Sequence, residues 1–355
     1  MRVLLLGGTG AIGENLVKIL KDYSVSTIVT SRQHRKDDGS ITYIKGNAHE
    51  IQFLKKICVE RWDAIIDFMS YKTDEFASRI DMLLSCTNQY VFISSARVYA
   101  DQEHPIKESS PRLLDACEDS NYLSSDEYAL TKARQEDLIK RHATTKNYTI
   151  IRPYITYSTS RLQLGVLEKE EWLYRALQGH TVIFAKEIAQ RTTTMTSGND
   201  VALGIFNLLG KQAALGETFH ITSEHLRTWN EIIHIYSSTF KEVIGEDLKI
   251  KLVSLKDFLK CRDKGLVWQV MYDRLYDRDF DTTKESMYAG SKSFLDPETG
   301  LRNCLIDFLR SNKKFKNINY INEARKDKLS NEAYKISIPP TIQMKVKYFL
   351  NRYIL

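Results

Sequence analysis

No stretch of this 355-residue chain approaches the roughly eighteen consecutive apolar residues of a membrane-spanning helix. The opening run Val3–Leu6 is too short for a secretion signal, and glycines follow it instead of a small-residue cleavage site. Cysteine is sparse. Cys58, Cys86, Cys117, Cys261 and Cys304 form no C-x-x-C pair and are odd in number. That argues against a zinc cluster or a disulfide framework and for a reducing compartment. Low-complexity tracts, internal repeats and blocks of one charge are also missing. Lysine and arginine are scattered among carboxylates, and the net charge of +6 is modest for this size. Composition therefore gives no call for nucleic acid and suits an anionic small substrate equally well. The expectation is a cytoplasmic protein with no integral membrane segment, no nucleic-acid partner and no metal.

What the chain does have is an apolar content of 43%, enough for a sizeable core. Apolar runs read as strands at Val3–Leu6, Thr27–Thr30, Ile41–Ile44, Ala64–Phe68, Tyr90–Ile93 and Thr149–Arg152. Stretches of helical period separate them at Glu14–Lys21, Ile51–Val59, Phe76–Leu84 and Tyr128–Arg141. Apolar strands alternating with helices predict an α/β fold, a doubly wound parallel sheet of Rossmann type covered on both faces. Helices are expected at Glu168–Leu177 and Asn199–Leu209, with a returning strand at Glu217–Ile221. From about Trp229 onward helices dominate, so a smaller, mainly helical C-terminal substrate domain is predicted. The boundaries drawn are 1–158 for the dinucleotide-binding domain, with 192–222 returning to it. Residues 159–191 and 223–355 form the substrate region and a basic tail. That tail ends in an apolar stretch expected to pack as a helix on the body, with membrane-surface or oligomer contact as the alternatives.

Gly7-Gly8-Thr9-Gly10-Ala11-Ile12-Gly13 follows the first strand and opens the first helix. Glycine permits the tight turn and clears side chains where a pyrophosphate approaches backbone amides, and the last glycine lets helix and sheet close together. Gly7, Thr9, Gly10, Ala11, Ile12 and Gly13 are thus candidate cofactor contacts. The second strand ends in Thr30-Ser31-Arg32, with Arg35 just beyond, where NAD binders commonly place an acid. Ser31, Arg32 and Arg35 can donate to a ribose 2′-phosphate that an acid would repel, so NADP(H) is favoured over NAD(H).

Ser94-Ser95 ends a strand, and Tyr128 and Lys132 are spaced i, i+4 on one helical face. A phenol beside an ammonium loses its proton more easily, so it can trade a proton with a substrate oxygen while hydride moves at carbon. A serine hydroxyl can hold the same oxygen.

With these pieces in this order, the chain resembles the extended short-chain dehydrogenase/reductases, the group of nucleotide-sugar epimerases, dehydratases and reductases. The matching stretches are Gly7–Gly13, Gly46–Ala48, Phe92–Ala100, Tyr128–Lys132, Ile151–Tyr157, Arg191–Ala202 and Gly216–Thr222, which cover about residues 1–235. The resemblance implies that Tyr128 is the acid/base, that Lys132 also binds the nicotinamide ribose, and that Ser95 orients the reacting oxygen. It implies Asn47, Ala48 and Met69 as further cofactor contacts, with Asn47 where the family usually has Asp beside the adenine. It also implies a homodimer through helices near Phe76–Leu84 and Tyr128–Arg141.

Departures shape the expected reaction. Ala96-Arg97 follow Ser95, where the family's 4,6-dehydratases carry acids, so dehydration is disfavoured. Arg97 either faces a substrate phosphate or is solvated. Tyr154-Ile155 stand where the family's substrate-touching Asn is usual. Arg161, Arg191 and Arg278 are candidates for diphosphate contacts, because guanidinium forks suit phosphate oxygens. Trp172 and Trp268 are read as core residues, and His180 and His220 as structural or exposed. The expected activity is hydride transfer at a sugar hydroxyl or ketone of a nucleotide sugar, by a reductase or an epimerase. The alternative is a non-catalytic nucleotide- or RNA-binding or redox-sensing protein on the same fold.

Overall fold

The computed structural model describes residues 1–289, 294–312, 314–334 and 341–354. They form two compact units. The first comprises Met1–Thr156, Thr194–His225 and Asp279–Leu295; the second comprises Tyr157–Thr193, Leu226–Arg278 and Asp296–Leu355.

The first unit is built on β1 (Arg2–Leu6), β2 (Ser26–Ser31), β3 (Ile41–Lys45), β4 (Trp62–Asp67), β5 (Thr87–Ile93), β6 (Tyr148–Pro153) and the strand Glu217–Ile221. Across the sheet these run Glu217–Ile221, β6, β5, β4, β1, β2, β3, and every pairing is parallel. The central strands β1, β4 and β5 are mostly apolar because both faces are covered. Side chains alternate between two cores. Val3, Leu5, Ile66, Val91 and Ile151 join Leu16 and Leu20 of α1 (Ala11–Asp22) and Val201 and Ile205 of the Gly198–Leu208 helix. Leu4, Leu6, Ile65, Phe92 and Ile150 face the other way, onto Leu54, Phe76, Leu83 and Ile139. The doubly wound parallel sheet is therefore as the alternating pattern predicts. Its strand order reverses at β1, which places the first strand-to-helix turn at the switch point where such folds bind ligands.

Two helices differ from expectation. Phe76–Leu84 is two short helices, Thr73–Ala77 and Ile80–Ser85. The break falls at Arg79, whose buried guanidinium donates to the carbonyls of Ala48 and His49 and lies 4.3 Å from the Tyr71 ring. Only Leu173–Leu177 of the expected Glu168–Leu177 helix is helical. Ahead of it the Glu171 carboxylate takes the Glu168 N–H, and Gln163 donates to the Glu168 side chain. Asp279–Leu295, which sequence reading left with the later chain, belongs to the first unit, and Ala289 and Phe294 enter its core.

The second unit pairs the strands Val182–Ala185 and Ile250–Val253 in parallel and is otherwise mainly helical. Its longest helix, Trp229–Ile244, starts in a Thr228–Glu231 capping box and ends at Gly245 with φ of 83°. Trp172 is buried and stacks on Tyr236 at 4.6 Å, a core role. No helix among the described residues is long and apolar enough to cross a membrane.

Candidate functional site

The glycine turn has the form its composition calls for. Gly7 takes a φ of 76°, and its N–H donates to Thr30 Oγ1 at 3.0 Å, tying the turn to the end of β2. A Cβ on Gly13 would come within 2.6 Å of the Gly8 backbone, so only glycine lets α1 pass this close. Gly10 differs. A Cβ there meets nothing within 4 Å, and as the N-cap of α1 it offers no side chain to the first-turn amides. Uncapped amides beside open space, at the positive end of a three-turn helix, fit a dinucleotide pyrophosphate. Thr9, Ala11 and Ile12 complete this turn.

Around it lie the other expected cofactor residues. Ser31 is buried at the end of β2, and its hydroxyl accepts from the Gln33 N–H at 3.2 Å. Arg32 and Arg35 are exposed beyond it, the latter 5.8 Å from the Tyr43 ring. The nearby acids are turned to other work. Asp37 accepts the Tyr43 N–H, and Asp38 pairs with Lys21. Asn47 holds its own loop by accepting from His49 N and donating to Glu50, and Ala48 is buried. Met69 follows β4, and its sulfur would lie 2.6 Å from a Cβ on Gly7.

Tyr128 opens the Tyr128–His142 helix with its ring partly exposed, while Lys132, one turn on, is buried. The Lys132 ammonium donates to Ile93 O at 2.8 Å and sits 5.9 Å from the Tyr128 ring centre. Burial pushes its pKa down to about 8, against the pull of the Asp67 and Glu136 carboxylates. Ser95 lies two residues past the end of β5 and accepts the Arg97 N–H at 3.2 Å. The Arg97 guanidinium lies 5.3 Å from the Tyr128 ring and pairs with Glu127 at 2.5 Å. Lys132 thus reaches the end of β5 near Tyr128, and Arg97 touches Ser95 through its backbone N–H and Tyr128 through its guanidinium. In this arrangement Arg97 is mostly buried and paired with Glu127.

Several supporting residues escaped the sequence reading. Glu127 caps the Tyr128 helix through the Ala129 N–H while it holds Arg97 and the Tyr122 hydroxyl. An acid just ahead of a helix was its only signal. Beneath the site Glu136 is fully buried. It accepts from Ser94 at 2.6 Å and from Arg152 at 2.6 and 2.8 Å. Burial alone would raise its carboxyl, but Arg152, Ser94 and Arg112 outweigh that and hold it below the usual carboxylate range. Asp67 accepts from Met69 N and from the Tyr90 hydroxyl, and burial raises its carboxyl. Period-2 strand patterning treats Asp67 as a strand end and gives no hint of this.

The substrate candidates divide. Tyr154 is buried in the first unit, its ring 5.4 Å from Phe280. In the second unit Arg161 is half-exposed and 3.4 Å from Glu168, and Arg191 is half-exposed and 3.3 Å from Asp277. Arg278 is fully buried, with its guanidinium on Asp273 at 3.0 Å. His220 is also fully buried; its Nε2 meets Asp281 O, and burial lowers its pKa. Trp268 packs on Tyr272.

A phosphate-cradling turn at the switch point, with a serine, a tyrosine and a buried lysine gathered at the end of β5, defines a protein of the short-chain dehydrogenase/reductase type. The chain belongs to the NAD dependent epimerase/dehydratase family, whose model matches residues 3–191. It is 25% identical over 245 residues to chloroplast stem-loop binding protein of 41 kDa b of Arabidopsis thaliana, across 64% of this chain. The chain spans only 60% of the length of that relative. Among solved structures it resembles epimerase Mth375 from Methanothermobacter thermautotrophicus, with a TM-score of 0.66 at 16% identity, covering 88% of this chain and 95% of that one. It also resembles UDP-glucuronic acid 4-epimerase from Bacillus cereus in complex with UDP-glucuronic acid and NAD. There the TM-score is 0.63 at 14% identity, covering 87% of this chain and 99% of the other. These structural likenesses establish the fold.

Proposed function

We propose that this chain is an NADP(H)-dependent enzyme that moves hydride at a hydroxyl-bearing or keto carbon of a nucleotide sugar, as a keto-sugar reductase or an epimerase. The observation that carries the reading is that Arg97 joins Ser95 to Tyr128 while the buried Lys132 ammonium lies 5.9 Å from the Tyr128 ring. The family and the nucleotide sugar held by the Bacillus cereus neighbour support the substrate class.

In the oxidising direction the Tyr128 oxygen takes the proton from the sugar hydroxyl, and in the reducing direction it returns one. The glycine turn Gly7–Gly13 would hold the pyrophosphate of a dinucleotide, whose nicotinamide would supply the hydride chemistry when bound. Ser95 donates a hydrogen bond to the same sugar oxygen, and the Lys132 ammonium favours the ionised phenol through its charge. Arg97, pinned by Glu127, fixes the ring. Ala96 and Arg97 offer no acid where a 4,6-dehydratase carries its own, so dehydration is not part of the proposal. The preference for NADP(H) rests on Ser31, Arg32 and Arg35 and on the engagement of Asp37 and Asp38 elsewhere. Arg161 and Arg191, both half-exposed, are the proposed diphosphate contacts. The burial of Arg278 against Asp273 argues for a structural role instead. A homodimer through the Ile80–Ser85 and Tyr128–His142 helices belongs to the same proposal.

The decisive experiment incubates the protein with a nucleotide-sugar panel and NADPH or NADP⁺, following absorbance and sugar isomers. Net NADPH oxidation marks a reductase; isomer formation with no net change marks an epimerase. Tyr128→Phe is expected to lower turnover about 10²–10⁴-fold while cofactor binding persists. The Arabidopsis relative, described as a stem-loop binding protein, favours one second reading, a nucleic-acid-binding protein on this fold. Stem-loop RNA binding that Tyr128→Phe leaves intact, with no turnover on any sugar, would replace the enzymatic reading with that one.

A further inference from the structure

The helix Ile342–Phe349 continues into the π turn Leu350–Ile354, and this segment has two unlike sides. One side is fastened. The Tyr348 hydroxyl donates to Asp327 at 2.5 Å and accepts the Tyr334 N–H at 2.8 Å, and Arg352 donates to Glu332 O at 2.7 Å. The other side is apolar and faces solvent. Ile342, Val346, Phe349 and Tyr353 recur at i, i+4, i+7 and i+11, and they are 81%, 52%, 51% and 55% exposed. Leu350 and Ile354 are exposed as well, and the Phe349 and Tyr353 rings lie 5.0 Å apart. The anchoring of Tyr348 and Arg352 thus holds a continuous apolar stripe outward. Isolated exposed apolar residues are ordinary, but a contiguous stripe marks an interaction surface.

Charge says what covers it. Residues 341–355 carry Lys345, Lys347 and Arg352 and no aspartate or glutamate. Two copies meeting stripe to stripe would bring like charges together with no acid on either segment to answer them. A surface of anionic headgroups answers Lys345 and Lys347, while Arg352 stays fastened to Glu332 O. The segment is about 20 Å long, too short to span a bilayer and suited to lying in the interface plane. Its aromatic pair includes a tyrosine, whose polar tip and apolar ring suit the headgroup boundary.

We propose that the Ile342–Ile354 segment is an interfacial anchor that seats the protein on an anionic lipid surface. Apolar side chains enter the acyl boundary, and basic side chains meet the headgroups. The site chemistry plays no part in this, so the anchor stands or falls apart from the enzymatic reading.

The test is co-sedimentation of the full chain with phosphatidylcholine vesicles, with and without phosphatidylserine. Binding is expected to be at least about tenfold tighter with phosphatidylserine and to weaken as salt is added. Lys345→Gln with Lys347→Gln should weaken it about tenfold or more. Val346→Asp with Phe349→Asp should abolish it. The substituted side chains are solvent-facing, so unchanged circular dichroism and thermal unfolding are expected alongside. A separate Phe349→Trp variant should show blue-shifted fluorescence, quenched by brominated lipid, on anionic vesicles. No pelleting by the unmodified chain, or equal pelleting by both vesicle types, overturns the proposal. So does self-association without lipid that Phe349→Asp removes, which would assign the stripe to a second copy.

Discussion

Two buried cations, one in each unit, are treated in opposite ways. Lys132 in the first unit makes its hydrogen bonds to backbone carbonyls, those of Ile93 and, at 3.5 Å, Met69. Arg175 in the second unit is wrapped by acids. Its guanidinium meets Asp327 at 2.7 Å and Glu323 and Glu332 at 3.1 Å, and it also donates to Thr181 O and Ser330. Burial would lower the Arg175 pKa, but Glu323 and Asp327 outweigh it and the pKa rises. For Lys132 burial wins, and the pKa falls to about 8. A cation locked among carboxylates can only hold structure together. A cation on carbonyls stays within reach of a proton change near neutral pH, which is what chemistry requires. The Arg175 cluster also brings ligand atoms of His180, Asp327 and Glu332 within 4.8 Å of one another. The guanidinium already answers those carboxylates, and His180 hydrogen-bonds Asp327 itself.

The same substitution at both positions should break the symmetry between them. Lys132→Met is expected to lower turnover about 10²–10⁴-fold, measured with NADPH and the active sugar. It should leave the melting temperature equal or higher, because it removes a charge that burial disfavours. The sign follows from linkage. With its folded pKa below its unfolded one, Lys132 binds fewer protons in the folded chain between about pH 8 and the ordinary lysine range. Native stability therefore rises with pH through that window, and the melting advantage of Lys132→Met should be full below it and vanish above. A lower melting temperature for Lys132→Met at neutral pH would refute this account.

Arg175→Met should do the reverse. Removing the guanidinium leaves buried Glu323 to Lys326 and buried Asp327 to His180 and Tyr348, and should cost about 3 kcal/mol of stability. Denaturant unfolding would read that loss. Turnover per folded molecule should stay near that of the parent chain. If Arg175→Met melts as the parent does, the locked network contributes nothing and the contrast with Lys132 is lost.

The first unit was far more legible in the sequence than the second. Its strands are short apolar runs buried on both faces, and Gly7–Gly13 allows few other backbones, so the sheet and the turn could be read directly. Tyr128 and Lys132 followed from i, i+4 spacing on a helix whose polar face was visible. What stayed hidden was long-range. Glu136 and Arg152 lie in stretches that read as an ordinary helix and strand, and nothing local says that both are buried and paired. Arg278 is a phosphate candidate by residue type and by its place in the family's order; its burial on Asp273 is a tertiary fact that neither shows. The Phe76–Leu84 helix failed in the same way, through an arginine drawn inward at Arg79. Asp279–Leu295 returns to the first unit through packing that no local pattern announces.

An intermediate effect concerns the acid that shares the interior with Lys132. The Asp67 charge raises the Lys132 pKa against the effect of burial. If the ammonium form is the working one, turnover in the parent chain should fall as pH passes about 8. Asp67→Asn removes that negative charge, so the alkaline fall should move to lower pH. A pH–rate profile whose alkaline limb stays in place, or moves up, would separate Asp67 from Lys132.

The smallest expected effect sharpens the same contrast at the site's edge, where Arg97 is caught between two roles. It pairs with Glu127 and lies over the Tyr128 ring. If it positions the phenol, Arg97→Gln and Glu127→Gln should each lower kcat by about tenfold, a modest share of the general-acid contribution, with KM for the sugar nearly unchanged. If Arg97 swings away to hold a substrate phosphate, the two substitutions part company. Arg97→Gln would then raise KM, whereas Glu127→Gln would free the guanidinium and lower it. Glutamine at 127 keeps one side-chain oxygen for the Ala129 N–H, so the helix cap survives and any loss of stability should stay within about 1 kcal/mol. Matched kcat losses at a constant KM are the outcome this geometry predicts.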